Sequence, residues 1–147
     1  MRWKKSLSAS KTMRAKPRKL EDPIHVLCFS WLFSNIDGIV YHIPNGFDGG
    51  SEVVFIRGHA VPRAAIMWNK LVKLGARSGV LDLILHWSPC RTAYFEIKSE
   101  EGSLSQNQKD FISDLDRVGI PHFVIRSLED CRMAVSELQI PLKKYQP

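Results

Sequence analysis

Two short runs of the chain hold the residues whose types and spacing could do chemistry. Residues 80–87 are almost wholly apolar and carry one formal charge, Asp82. Residues 93–98 are aromatic and β-branched and include Glu96 and Lys98. Both compositions are typical of β-strands. The chain therefore places two carboxylates and an ammonium group on two neighbouring strands.

The geometry of a strand limits where these three side chains can lie. Side chains alternate between faces, so Glu96 and Lys98 must share a face. The connector, residues 88–91, is short enough for a hairpin, which would put Asp82 beside or diagonal to Glu96. Adjacent carboxylates repel unless a cation lies between them, and a nearby lysine completes the set needed for metal-dependent phosphodiester hydrolysis. From these residues alone, an ordinary cross-strand salt bridge on a solvated face remains an equal alternative.

Composition indicates one ordinary globular domain. The chain has 147 residues, 44% of them hydrophobic and 24% charged, which is enough for a sizeable core. No apolar run approaches the roughly 18–20 residues of a membrane span, and the N-terminus lacks the apolar region of a secretory signal. The three cysteines are widely spaced and predict reduced thiols in a cytosolic-type compartment.

The net charge of +6 is concentrated at one end of the chain. Residues 1–20 contain eight Lys or Arg and no acid, whereas the remaining 127 residues contain thirteen basic and fifteen acidic side chains. We expect residues 1–20 to form a basic, flexible arm suited to phosphate backbones. A solubilising tail or a targeting segment is the alternative. Residues 21–147 are predicted to form the single folded domain.

A second basic cluster lies inside this domain. No acidic residue occurs between Glu52 and Asp82. A run of positive charge that leads to a carboxylate strand suits DNA binding beside a cutting site, although a solvated helix face would look the same. The predicted DNA-binding residues are Arg57, Arg63, Lys70, Lys73 and Arg77.

The order of predicted elements favours an α/β domain with helices on both faces of a mixed sheet. A mostly buried helix is expected over 21–33, a strand over 39–43, an extended segment over 51–57 and a helix over 62–74. After the two strands described above come a helix over 105–118, a strand over 121–125 and a last helix capped by Ser127. The inner face predicted for that last helix consists of Leu128, Met133, Ala134 and Leu138.

Several of these segments together resemble a known family. The motifs lie at residues 21–24, 43–46, 73–82, 95–99 and 104–108, with Gly119 further on. In this order they resemble the virus-type replication-repair nuclease (VRR-NUC) domain of the PD-(D/E)XK nuclease superfamily, over about residues 21–130. The chain departs from the family at Leu81, where proline is usual, and at His25, where glutamine is usual. Residues 47–61 are longer and more apolar than the family suggests, and could form a hairpin.

The resemblance implies a restriction-endonuclease-like core and a metal-dependent active site. It implies that four residues bind Mg²⁺ or Mn²⁺: Asp82, Glu96, Ile97 through its carbonyl, and Glu21, directly or through water. Lys98 would orient or activate the attacking water and stabilise negative charge. Gln108 would line the site, and since Ser105 and Gln108 also match a capping box, the two roles could coexist. The histidines show no paired metal motif and are expected to be packing or surface residues.

The implied function is a DNA endonuclease that cuts Holliday junctions or other branched DNA. The resemblance places it in phage or bacterial replication, recombination or repair, in the cytoplasm, with nuclear or organellar locations left open. Paired cleavage implies a homodimer, for which residues 53–56 could supply an apolar surface unless they fill the core. The alternatives are a non-catalytic nucleic-acid-binding or assembly subunit, and a flap, nicking or restriction-type nuclease.

Overall fold

The computed structural model describes residues 21–44 and 52–144. They form four helices and six strands in the order α1 (Glu21–Asn35), β1 (Ile39–His42), β2 (Val53–Ile56), β3 (His59–Pro62), α2 (Arg63–Lys73), β4 (Leu83–Trp87), β5 (Arg91–Ile97), α3 (Gln106–Val118), β6 (His122–Ile125) and α4 (Leu128–Glu137). The basic arm predicted for residues 1–20 lies outside the described residues.

A four-stranded mixed sheet forms the centre of the domain. The strand order is β1-β4-β5-β6. β4 is antiparallel to β1 and to β5, whereas β5 is parallel to β6. Helices flank this sheet, as the predicted restriction-endonuclease-like α/β fold requires.

The main core lies on one face of the sheet. Leu83 pairs with Phe95 across β4 and β5, and cross-strand partners share a face. Both side chains are fully buried, and they belong to one cluster with Leu32 of α1 and Cys131 of α4. α1 and α4 therefore cover this face.

α3 packs against the opposite face. The ring of Phe111 in α3 meets Tyr94 of β5 edge to face, with 5.5 Å between centroids. Tyr94 neighbours Phe95 in the strand and so points away from the main core. Glu96 alternates onto the side of Tyr94, which places it beneath the start of α3.

Two expectations about helix burial were wrong. α1 was expected to be mostly buried, but Val26, Leu27 and Phe33 are exposed and only Cys28 and Leu32 are buried. A single helix face touches the sheet, so the apolar residues on the other side remain exposed. In α4 the prediction was wrong for Met133, which is 61% exposed, but right for Ala134 and Leu138, which pack in the core with Cys131 and Val135.

The apolar segment after residue 51 forms a separate hairpin. β2 and β3 pair with each other and with no other strand among the described residues. Arg57 and Gly58 join them with φ values of 49° and 79°, the left-handed conformations of a two-residue type I′ turn. This is the hairpin expected within residues 47–61, of which 47–51 lie outside the described residues. All four residues of β2 are exposed, so they do not fill the core.

None of the helices in residues 21–44 and 52–144 has both the length and the apolar character of a segment that crosses a membrane.

Candidate active site

Asp82 and Glu96 lie side by side at the ends of β4 and β5. The antiparallel pair of Leu83 with Phe95 sets the register, and continuing it by one residue puts Asp82 opposite Glu96. The Oδ2 atom of Asp82 accepts a hydrogen bond of 2.9 Å from the backbone N–H of Ile97. This bond fixes the Asp82 carboxylate against the strand that carries the second acid.

Glu96 is the most unusual residue of the site, because it is a carboxylate that is 0% exposed. Its Oε1 atom lies 2.9 Å from Nζ of Lys98 and also accepts a hydrogen bond from the side-chain amide of Gln108. Its Oε2 atom is buried and has no hydrogen-bond partner among the described residues. A buried oxygen left in this way is costly unless something else binds it, so Glu96 fits a cation that would contact Oε2.

The protonation state of Glu96 reflects the same environment. The pKa of this carboxyl is raised to about 7, chiefly by burial and also by the charge of Asp82, while the hydrogen bond and the charge of Lys98 act to lower it. Burial disfavours the charged form of an acid, and a second carboxylate does the same. The pair of acids is therefore arranged so that positive charge beside it is favourable.

Lys98 supplies one such positive charge. Burial acts to lower its pKa, but the hydrogen bond and charge of Glu96, with the charges of Glu21 and Asp82, outweigh this effect and raise the pKa. Its side chain is only 11% exposed. Lys98 is thus a fixed ammonium at neutral pH, suited to stabilising negative charge.

Gln108 has two contacts at once, and they join α3 to the site. Ser105 is the N-cap of α3, and its side chain accepts from the Gln108 backbone N–H while the Gln108 side-chain oxygen accepts from the Ser105 N–H. The amide nitrogen of the same Gln108 side chain donates to Glu96. The capping box and the contact with the site coexist.

Glu21 reaches the site from the first turn of α1. Its Oε1 atom lies 3.8 Å from Nζ of Lys98, so it approaches the ammonium without a close hydrogen bond. Gly102 allows this approach, because a Cβ on that residue would lie 3.0 Å from Glu21 Oε1. Arg126 holds the loop between β5 and α3, which contains Gly102, by donating hydrogen bonds to the backbone carbonyls of Ser99 and Glu100.

Gly79 fixes the segment that leads into the Asp82 strand. Its φ is +80°, and a Cβ there would lie 2.3 Å from the backbone carbon and oxygen of Asn107. Only glycine fits this left-handed, crowded position. The contact seats residues before Asp82 directly against the start of α3, next to Gln108.

The structure also brings together two histidines that the sequence did not assign to the site. His25 in α1 and His42 at the end of β1 lie edge to face, with 4.6 Å between ring centroids. One ligand atom from each of them and one from Asp82 lie within 4.8 Å of one another. Burial lowers the pKa of His25, and so does His42, while Asp82 and Asp22 act to raise it. The available signal was spacing, since His25 follows Glu21 by four residues and shares its helix face.

The five predicted DNA-binding residues differ in their surroundings. Arg63 pairs with Glu52 at 2.7 Å. Arg77 pairs with Asp114 and stacks over the Phe111 ring, 5.0 Å from its centroid. These two carry acids close to them, whereas within the described residues Arg57, Lys70 and Lys73 lack an acidic partner. All three of these side chains are exposed.

A cavity of about 630 Å³ lies beside the site. Trp68 of α2, Gly79 and Asn107 line it, together with Gln108. Asp82, Glu96 and Lys98 do not line it. The cavity is therefore a neighbour of the carboxylate pair, joined to it by the Gln108 side chain.

The fold and site together define an α/β domain with a restriction-endonuclease-like core. The family model of the VRR-NUC domain matches residues 56–129, which is half of the chain. The chain belongs to the VRR-NUC family and is a nuclease-type domain. The matched part contains Asp82, Glu96, Lys98 and Gln108, whereas Glu21 lies before it. No curated protein and no solved structure matches the chain.

Proposed function

We propose that this protein is an endonuclease that hydrolyses DNA phosphodiester bonds with Mg²⁺ or Mn²⁺. The observation that carries the proposal is the fully buried Glu96, whose Oε2 has no partner among the described residues, next to Asp82. Such a pair is stabilised by a cation, and oxygen ligands suit Mg²⁺ and Mn²⁺.

The proposed ligands are the carboxylates of Asp82 and Glu96, the carbonyl of Ile97, and Glu21 directly or through water. A divalent ion bound there would polarise the scissile phosphate and lower the pKa of a bound water. The protein's contribution is to hold the ligands in place. Asp82 is held by the Ile97 N–H, and Glu96 is held by Lys98 and Gln108.

Lys98 is proposed to orient the attacking water and to stabilise the charge that develops on the phosphate. Its raised pKa keeps the ammonium protonated, which suits electrostatic stabilisation better than proton abstraction. Its small exposure strengthens this effect, since a partly desolvated charge is screened less by water and salt.

The alternative is a nucleic-acid-binding or assembly subunit without catalysis. It requires no buried acid, because phosphate binding needs basic side chains alone. Lys98 offsets part of the cost of burying Glu96 beside Asp82, but a buried Oε2 without a partner is unfavourable in a protein that binds no metal ion there. This cost favours the catalytic proposal.

DNA would approach across the side of the domain that carries α2 and the β2–β3 hairpin. Arg57, Lys70 and Lys73 are exposed there and lack acidic partners within the described residues, so their charges are available to phosphates. Arg63 and Arg77 are also proposed to contact DNA, whose phosphates would replace their present carboxylate partners. The basic residues 1–20 would add a second set of contacts to the DNA backbone.

Branched DNA, such as a four-way junction, is the proposed substrate, and a homodimer is the proposed assembly. Symmetric cutting of a junction needs two sites related by a twofold axis, and each chain carries one. β2 offers a surface for pairing, since Phe55 is 74% exposed and its three neighbours are apolar and exposed as well.

The oligomeric state can be tested by light scattering at micromolar concentration. The wild-type chain should be a dimer, and Phe55→Glu should shift it to a monomer. Met133→Glu is the matched control, because Met133 is also exposed and apolar but lies on α4. A strictly monomeric wild type would contradict paired junction cutting and favour a flap or nicking nuclease.

The activity can be tested with labelled single-stranded, duplex, flap and four-way-junction DNA, each with Mg²⁺, Mn²⁺ or EDTA. We expect metal-dependent cleavage, fastest on the junction, and none in EDTA. Equal rates on linear duplex would contradict the preference for branched DNA. Binding without cleavage of any substrate in either metal would support the non-catalytic alternative.

A further inference from the structure

His25, His42 and Asp82 converge from three different elements. His25 lies one turn after Glu21 in α1, His42 ends β1, and Asp82 directly precedes β4. Their ligand atoms lie within 4.8 Å of one another. An ion bound at about 2.1 Å from each would need them roughly 3–4 Å apart, so binding would draw the three side chains slightly closer together.

A backbone contact already orients one of these imidazoles. Nδ1 of His42 lies 3.0 Å from the backbone carbonyl oxygen of Asp82. A carbonyl only accepts, so this hydrogen bond forms when Nδ1 carries the proton, which leaves a lone pair on Nε2. Metal-binding histidines are typically held in this way, with the other ring nitrogen donating to a carbonyl or carboxylate.

We propose that His25, His42 and Asp82 form a second metal position, which binds a divalent transition ion in preference to Mg²⁺. Two imidazole nitrogens and one carboxylate oxygen suit Zn²⁺ or Co²⁺, whereas Mg²⁺ prefers oxygen ligands throughout. Three protein ligands leave further coordination positions open for water or a phosphate oxygen.

This position adjoins the proposed Mg²⁺ or Mn²⁺ site through the shared Asp82, so it extends the proposed nuclease function. Whether this second metal position exists can nevertheless be tested without measuring DNA cleavage. Glu96 belongs to the first site only, and His25 and His42 belong to the second only. Variants at these residues therefore separate the two proposals.

The experiment measures Co²⁺ binding to the metal-free full chain, by its visible absorption and by calorimetry, in the presence of excess Mg²⁺. We expect one tight Co²⁺ site in the wild type. His25→Gln and His42→Asn should each weaken it by about tenfold or more, since each removes one ligand. Glu96→Gln should leave it unchanged, whether or not the protein cuts DNA.

Two control variants remove other accessible side chains that could bind a transition-metal ion. His59→Gln alters an exposed histidine in β3, and Cys90→Ser removes the exposed thiol. Both should retain the Co²⁺ affinity of the wild type. If His25→Gln and His42→Asn bind Co²⁺ as tightly as the wild type, or if Mg²⁺ competes equally, the proposal is wrong.

A second measurement uses the unaltered protein, so it does not depend on the folding of a variant. Zn²⁺ addition should shift the imidazole nitrogen resonances of His25 and His42, and leave those of His59, His86 and His122 in place. Shifts spread over all five, or absent from His25 and His42, would overturn the inference.

Discussion

Nζ of Lys98 lies 2.9 Å from Oε1 of Glu96, while Oε2 of the same carboxylate has no hydrogen-bond partner in the described part of the chain. The Glu96 carboxylate therefore has a partner at only one of its two oxygens among the described residues. A buried side-chain oxygen normally has at least one hydrogen-bond partner. Oε2 of Glu96 is an exception, and it lies next to Asp82, where a bound cation would contact both carboxylates.

Replacing Lys98 should separate binding from chemistry. Lys98→Met keeps most of the hydrocarbon stem and removes the ammonium. We expect the single-turnover cleavage rate to fall by about two to three decades, since one group that stabilises developing charge is worth roughly 3–4 kcal/mol. Lys109→Met, at an exposed position of α3, is the control. Normal turnover of bound DNA combined with a collapse of DNA affinity would show that Lys98 is a binding residue.

The two contacts of Gln108 can be tested independently. Ser105→Ala removes the N-cap and should lower the free energy of unfolding by about 1 kcal/mol, with little change in cleavage rate. Gln108→Glu retains an acceptor for the Ser105 N–H but replaces the donor to Glu96 with a like charge. Its helix should persist while cleavage falls at least about tenfold. Equal effects of both variants on cleavage would contradict a separate role of Gln108 in the site.

Gly79 and Gly119 form a matched pair for thermal or chemical unfolding. Both have positive φ, but a Cβ on Gly119 would meet nothing within 4 Å, whereas one on Gly79 would collide with the Asn107 backbone. Gly119→Ala should cost about 1 kcal/mol of stability. Gly79→Ala should cost roughly 2–4 kcal/mol. Similar losses would mean that the close approach to α3 is unimportant.

The basic arm should contribute to DNA affinity and leave chemistry unchanged. Each phosphate contact on duplex DNA adds about −0.9 to the slope of log K against log salt. Deleting residues 1–19 should therefore flatten this slope measurably, with the cleavage rate at saturating DNA unchanged. An unchanged slope would identify the arm as a tail or a targeting segment.

The sequence predicted the elements of the sheet and the neighbourhood of Asp82 and Glu96 because both follow from local patterns. Alternation along a strand and a short connector are enough to place Asp82 beside Glu96. The cap at Ser105 likewise depends on four consecutive residues. Each of these features needs no knowledge of how distant segments pack.

Features that depend on distant contacts were not predictable in the same way. The exposure of Phe33 and Met133 depends on which face of each helix meets the sheet. Arg77 lies in a run without acids, yet its partner Asp114 comes from α3. The contact between His25 and His42 requires α1 to pack across β1 so that His25 lies next to the last residue of that strand. Sequence patterns carry little information about such packing.

The most direct test of the central claim compares junction cleavage by Glu96→Gln with that by Glu101→Gln. Glu96→Gln keeps the size and the buried position of the side chain but removes the negative charge that would bind the cation. Glu101→Gln makes the same chemical change at an exposed position five residues away. With Mg²⁺ and single-turnover conditions, Glu96→Gln should lose cleavage while remaining folded, and Glu101→Gln should cut like the wild type. Undiminished cleavage by folded Glu96→Gln, or wild-type cleavage in EDTA, would contradict the account.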